Sequence, residues 1–460
     1  MSIERAVVIG GSVAGLLAAI ALAESCKKVV IVERDELPDA PIGHNGAPQG
    51  KQIHVCLPAG LAMIEQLIPD FGSKLKAEGC PEWDELEAVP YLTSEGWRVR
   101  TESPVKTIGF RRPLFEWVIR RHLLSLPNTE VRVGTVKGLA SNDDATVVRG
   151  VELASGETEH ADLVVDASGR ASQAPKWFEK LGYAPPVDRE VRVNMGYASQ
   201  VVSVPEGLLP EGVMGLNVIP YPGHHRGAVL LAADNGTFML TAVGMVGDYP
   251  PGDRDALLEY IDGAPSPLIG EIARQCEPVG EINTYRMPGN RKRVWEDLES
   301  RPGGFVAVGD ALGSFNPIYG QGMTSAANAA LTLRSALAEI DGRAPEFPAE
   351  FHERLRDWTN LAFEMAAGAD CLYEGAELIG WERPSDEELQ YAMALEGLAT
   401  EDPEVLVALG RAQYMMEMEA LESDSITAKA EAWISSRRTP HAPDITTMPG
   451  VTVAAAAATV

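Results

Sequence analysis

The chain has 460 residues, 45% of them apolar, enough to bury a sizeable core divided among two or three units. Its 66 acidic residues against 39 lysines and arginines give a formal charge of −27, which repels nucleic acid and anionic membrane surfaces and excludes both as expected partners. The five cysteines form no CxxC pair and have no histidine at metal-ligand spacing, so a reduced, cytoplasmic protein without a metal site is expected.

Residues 5–9 predict a strand, 14–24 a helix and 28–33 a second strand, together a βαβ unit with parallel pairing. The uncharged run from Ala6 to Ala23 resembles a leader or a membrane span in composition. Gly10, Gly11 and Gly15 interrupt it and another β-like run follows at once, so strand, turn and helix are expected instead. The Pro/Gly-rich stretch 37–50 predicts an ordered loop, and 59–68 a helix. Arg112 and Pro113 open a further helix, with Pro in the first turn where its missing N–H costs nothing; Phe115, Ile119, Leu123 and Leu126 share one face.

Short strands follow at 131–133, 147–153 and 160–166, the last returning to the first sheet. From 190 to 285 the pattern turns β-rich, with segments 191–204, 213–219, 227–232 and 237–246 predicting an antiparallel sheet. A buried strand at 305–308 leads through a long turn into an Ala-rich helix at 325–340, and 350–437 is helical with Pro and Gly interruptions. The expected fold is α/β. A Rossmann-like nucleotide domain in two parts, 1–185 and 291–345, encloses an antiparallel-sheet substrate domain at 186–290. A helical C-terminal region at 346–445 and a flexible tail at 446–460, with five alanines at 454–458, complete the chain.

Two glycine-rich turns carry chemistry. Gly10, Gly11, Ser12, Val13, Ala14 and Gly15 stand between strand and helix, where backbone amides at a helix start meet a pyrophosphate and small residues allow it to approach. Ser12 replaces the middle glycine of the usual fingerprint. Glu33, at the end of the second strand, is placed to accept hydrogen bonds from an adenosine ribose. The second turn runs from Gly309 and Asp310 through Asn316 and Pro317 to Gly320, Gln321, Gly322 and Met323. A carboxylate at a strand end can hold polyol hydroxyls, and a glycine-rich helix start can stabilise negative charge on a reduced ring.

With Asp166-Ala167-Ser168-Gly169-Arg170 between them, these motifs resemble the flavoprotein monooxygenases of the para-hydroxybenzoate hydroxylase fold. Within that group Pro48–His54, Arg112-Pro113-Leu114 and Asn316–Met323 are similar to flavin epoxidases of polyether ionophore biosynthesis, distant relatives of squalene epoxidases. The resemblance implies one extended FAD. Glu33 would hold the adenosine ribose and Asp310 the ribityl chain, with Pro317, Gly320, Gln321, Gly322 and Met323 beside the ring. Arg34, Lys51, Gln52, Arg112, Val136, Asp166 and Gly169 would lie along its length.

The resemblance also implies insertion of one oxygen atom from O2 into a small apolar substrate, a polyene or an aromatic polyketide or terpenoid, in antibiotic biosynthesis. The cofactor carries the hard chemistry, so no protein nucleophile and no metal is expected. Aromatic hydroxylation, halogenation, prenyl reduction and flavin binding without catalysis are the alternatives. Ser168 stands where the family's Asp usually stands, which leaves the electron source open between NADPH or NADH directly and a partner flavin reductase. Met195, Tyr197, Phe238 and Leu240 are expected on one sheet face roofing a substrate tunnel. Trp177, Phe178 and Trp295 are expected in the core, His54 as a structural residue, and His224 and His225 at the surface.

Overall fold

The computed structural model describes residues 3–44 and 46–436; the expected tail at 446–460 and the end of the expected helical region lie outside them. Strand Ile3–Ile9 pairs in parallel with Cys26–Glu33 on one side and Leu163–Asp166 on the other. Phe305–Ala307 and Thr129–Val133 add the two edges of a five-stranded parallel sheet. Its inner strands are unbroken runs of Val, Ile and Ala because both faces are covered, which removes the alternation of a half-exposed strand. Helix Val13–Ala23 is buried along almost its whole length, packed between this sheet and helix Gln321–Glu339, and its alanines and glycine allow the close approach.

A mostly antiparallel sheet forms the second layer. Its order is Gly313–Ser314, Asn283–Val294, Val187–Ser203, Phe238–Gly244, Arg226–Ala232, Gly215–Val218, Tyr91–Thr93 and Gly96–Trp97. Strand Tyr91–Thr93 joins in parallel beside Gly215–Val218, and Glu377–Ile379 pairs with Val187–Ser203. The sheet therefore recruits chain from before residue 186 and after residue 346, which local periodicity at 186–290 does not reveal. Helices Arg254–Ile261 and Leu268–Ala273 cover one face. The other face is turned towards the C-terminal helices Phe347–Asp370, Asp386–Leu398 and Pro403–Gln413.

Trp177, Phe178 and Trp295 are core residues, with Phe178 and Trp295 edge to face at 5.1 Å. All five cysteines are buried and unpaired, and His224 is exposed. No helix among the described residues is long and apolar enough to cross a membrane.

Candidate functional site

The parallel strands all end at one edge, and the chain leaving them carries Gly10, Glu33, Gly134, Ala167 and Gly309. Convergence at the carboxyl ends of parallel strands is where open α/β sheets bind ligands. A cavity of about 1380 Å³ opens along this edge and continues between the large sheet and the C-terminal helices. It exceeds the ~300–1,000 Å³ usual for one small ligand, so it has room for two molecules.

Close packing explains three glycines. Gly10 has φ +102°, and a Cβ there would stand 2.6 Å from the Ala167 carbonyl oxygen; a Cβ on Gly15 would collide with the Gly10 carbonyl. Gly309, at φ +58°, would carry its Cβ 2.6 Å from that of Ala14. The two glycine turns, three hundred residues apart in sequence, thus touch. Gly322 differs: nothing lies within 4 Å of the position its Cβ would take, so this part of the helix start faces open space.

Glu33 is buried and accepts from the Gly11 amide at 2.6 Å, which joins the end of the second strand to the first turn. Behind that turn the Ser12 hydroxyl donates to Glu116 at 2.5 Å, while Arg112 donates from Nε to Glu116 at 2.9 Å and from Nη2 to Ser12 at 3.0 Å. Burial opposes the charge on Glu116, but the Arg112 guanidinium and the hydrogen bonds outweigh it and hold the carboxyl down to about 2. The serine at the fingerprint's middle position is therefore tied to an acid–guanidinium pair on the Arg112–Ser125 helix.

Asp166 is fully buried and lies outside the cavity lining, unlike the expectation of contact along the cofactor. Its carboxylate accepts from the Ser168 amide at 3.0 Å, the Ser168 hydroxyl at 2.6 Å and the Ser172 hydroxyl, and so shapes the loop bearing Gly169 and Arg170. Asp310 lies in the cavity wall and accepts no hydrogen bond from any described residue. Burial raises its pKa, opposed by the charges of Arg112, Arg170 and Arg291. A carboxylate facing a cavity, unpaired yet within the field of three guanidiniums, is ready to accept from a ligand's hydroxyls.

Helix Gln321–Glu339 starts four residues earlier than expected, because Gly320 takes the left-handed conformation at φ +70° and caps it. The first-turn amides at Gln321–Met323 accordingly have no intrahelical acceptors and carry the positive end of the helix dipole. The preceding turn Pro317–Tyr319 rests on a buried network absent from the expected site. Asn316 donates to Asp370 at 3.0 Å, Tyr319 donates to it at 2.8 Å and Asn290 at 2.7 Å, and Tyr197 donates to Asn316 at 2.6 Å. Burial lifts Asp370 to about 6.

No protein-family model matches the chain. Protein Rv3254 of Mycobacterium tuberculosis is 32% identical over 405 residues, 83% of this chain and 84% of that protein. A kynurenine 3-monooxygenase of Salinispora tropica is 28% identical over 407 residues, covering 82% of each, and squalene epoxidase erg1 of Schizosaccharomyces pombe is 22% identical over 335 residues, 69% of this chain and 65% of that one. The chain is a flavin-dependent monooxygenase, as are its curated relatives of named activity. Among solved structures, p-nitrophenol 4-monooxygenase PnpA of Pseudomonas putida DLL-E4 shares the fold with a TM-score of 0.62 at 20% identity, over 90% of this chain and 99% of that one.

In this monooxygenase the cavity lining brings together Gly10, Ser12, Val13, Ala14, Glu33, Arg34, Gln52, Arg112, Val136 and Gly169. Gly309, Asp310, Pro317, Gly320, Gln321, Gly322 and Met323 line the same cavity, with Gly309 against Ala14. Lys51 is solvent-exposed and outside the lining, and Gly15 packs beneath the turn. The sheet face expected to roof the cavity differs from the one observed. Tyr197 lines the cavity and pairs with Val243, so the odd-numbered residues of strand Phe238–Gly244 share its face; Phe238 and Leu240 project to the other, where Leu240 packs against the covering helices. Met195 is on the Tyr197 side but buried beneath it, its sulfur 3.3 Å from the Tyr197 hydroxyl oxygen. The wall is made instead by Val229, Leu231 and Val243, with Asn217 and Ile219 beside them. Sequence reading also missed Glu116, although its i, i+4 spacing from Arg112 is a recognisable ion-pair signal.

Proposed function

We propose that this monooxygenase binds FAD in extended form along the cavity and epoxidises an alkene in an apolar secondary-metabolite substrate. The ribose would lie at Glu33, the pyrophosphate over the amides of Gly10–Ala14, the ribityl chain at Asp310 and the ring beside Pro317–Met323. The observation that carries this reading is the unpaired Asp310 carboxylate between two glycine turns in contact. The residues present fit the group: the cavity meets phosphate-sized space with backbone amides and arginines, and meets the ring with a helix start. Bound flavin supplies electrophilic oxygen derived from O2, which an electron-rich alkene attacks without a protein nucleophile or a metal.

The chain's own work is then to exclude water, orient one double bond and stabilise negative charge. Leu57, Phe315, Ile318 and Leu372 are apolar lining residues that would keep water from the ring, and the first-turn amides at Gln321–Met323 would stabilise negative charge on it. Reducing electrons come from NADPH or NADH, directly or through a flavin reductase. Hydroxylation of an aromatic ring is the alternative that the kynurenine 3-monooxygenase relative keeps in view, and for a phenol it benefits from a base near neutrality. His54 lines the cavity, but burial and the Arg112 charge push it down to about 3, too weak to serve well.

The test joins two measurements. Asp310→Ala should lower FAD affinity on the order of tenfold to a hundredfold, the scale of lost hydrogen bonds to a charged group, read from the flavin-to-protein absorbance ratio after gel filtration. Wild-type protein supplied with isotopically labelled dioxygen and a candidate polyene should yield an epoxide carrying one labelled atom. Full flavin retention by the variant would remove Asp310 from the site, and label in a phenol ring instead would replace epoxidation by hydroxylation.

A further inference from the structure

Val229, Leu231 and Val243 give the sheet wall of the cavity a hydrocarbon surface, and one buried carboxamide stands among them. Asn217 lies on strand Gly215–Val218 beside Tyr91 of the parallel neighbour, and both side chains line the cavity. Asn217 is 7% exposed, its Oδ1 is buried without a hydrogen-bond partner, and no described residue hydrogen-bonds to its carboxamide. The Tyr91 hydroxyl likewise has no hydrogen-bond partner among the described residues. Its ring is held from behind by the Arg98 guanidinium, 4.3 Å from the ring centroid, and Arg98 is fixed by two-pronged bonding to Glu396 and by Gln413 at 3.0 Å.

A buried carboxamide without partners is costly in a folded protein and is usual only where another group completes it. Val229 stands across the register from Asn217 and cannot do so, and Ile219 and Leu231 bound the patch with hydrocarbon. Burial pushes Tyr91 up to about 12, so it keeps its proton and can both donate and accept. A ligand hydroxyl is the group that satisfies this pair in either orientation of the carboxamide, donating to one partner while accepting from the other.

We propose that Asn217 and Tyr91 form the recognition point for a hydroxyl group on the substrate, which is therefore an apolar, unsaturated chain bearing an alcohol and not a plain hydrocarbon. This rests on the monooxygenase site read above and narrows its substrate class. The pair is a specificity element: it touches substrate at a distance from the reacting double bond and takes no part in oxygen transfer.

The experiment is isothermal titration calorimetry with farnesol and its hydrocarbon counterpart farnesene as matched probes, on wild-type holoprotein and on Asn217→Leu and Tyr91→Phe. Wild type should bind the alcohol about tenfold or more tightly than the hydrocarbon. Asn217→Leu should erase that preference by weakening farnesol and not farnesene, and Tyr91→Phe, which keeps the ring against Arg98, should reduce it. Equal affinities in the wild type, binding of neither probe, or a preference that survives both substitutions would overturn the proposal. The calorimetry reads binding to the flavin-loaded protein and not turnover, so absence of labelled product would count against the epoxidase reading alone and leave this comparison legible.

Discussion

Single side chains at the nucleotide end show how few contacts hold the site in shape. Glu33 spends one oxygen on the Gly11 amide, and Glu116 takes both the Ser12 hydroxyl and the Arg112 guanidinium. Because the folded pKa of Glu116 lies near 2, below the ordinary 4.5, its ionised form is preferred in the native state. Its stabilisation is complete above about 4.5 and is lost as pH falls through about 2. Glu116→Gln should therefore destabilise the protein on the order of 3 kcal/mol at pH 7, with a gap from wild type that closes as pH is lowered, measured by urea unfolding across that range. Gly10, Glu33 and Asp310 were legible in the sequence because each sits beside a strand end that local pattern reveals. Asp370 and Asn217 were not, since the residues around them come from other elements and nothing near them in sequence marks them.

At the scale of elements, the large sheet illustrates how register decides function. Neighbouring residues on a strand point to opposite faces, so shifting the pairing by one exchanges core for cavity. Tyr197 opposite Val243 fixes the cavity face, and Leu230 opposite Leu240 fixes the face under the helices. Leu230→Ala, at a fully buried position, should cost about 2–5 kcal/mol and lower the thermal midpoint clearly. Ile219→Ala, at the cavity wall, should shift that midpoint less and change the substrate KM. Thermal unfolding and steady-state kinetics on the two variants check the contrast. The alternation along 237–246 predicted a strand correctly, yet a strand's own pattern cannot say which of two apolar faces meets helices and which meets ligand. The helix from Gln321 shows the same limit at a terminus, where a left-handed glycine adds a turn that composition assigns to a loop.

Over the whole molecule, an acidic chain gathers Arg112, Arg170 and Arg291 around one carboxylate in the cavity wall, so the local field opposes the net charge of −27 and favours an anionic cofactor. The far wall of that cavity is closed by helices from the other end of the sequence. Arg98, near the start of the chain, clasps Glu396 on helix Asp386–Leu398 at 2.7 Å, and that helix opens with a capping box between Ser385 and Glu388. Arg98 is 5% exposed, so removing its partner leaves a buried charge uncompensated. Glu396→Ala should cost on the order of 3 kcal/mol and speed hydrogen exchange through residues 386–435, as the helical wall loosens from the sheet.

The sequence by itself determined the βαβ opening, the two glycine turns, the acidic end of the second strand and the cofactor chemistry they resemble. These depend on contacts within a few residues of one another, on backbone conformations that only glycine takes easily and on strand ends that periodicity marks. Tertiary structure decided that the two turns touch, that Asp166 serves its own loop, that Asp310 stays unpaired, and that the sheet residues lining the cavity include Val229, Leu231 and Asn217 and not Phe238 and Leu240. Apart from the Asp166 contacts, which lie within six residues, those follow from pairing register or from the meeting of segments distant in sequence, and the free energy that selects them belongs to the packed whole.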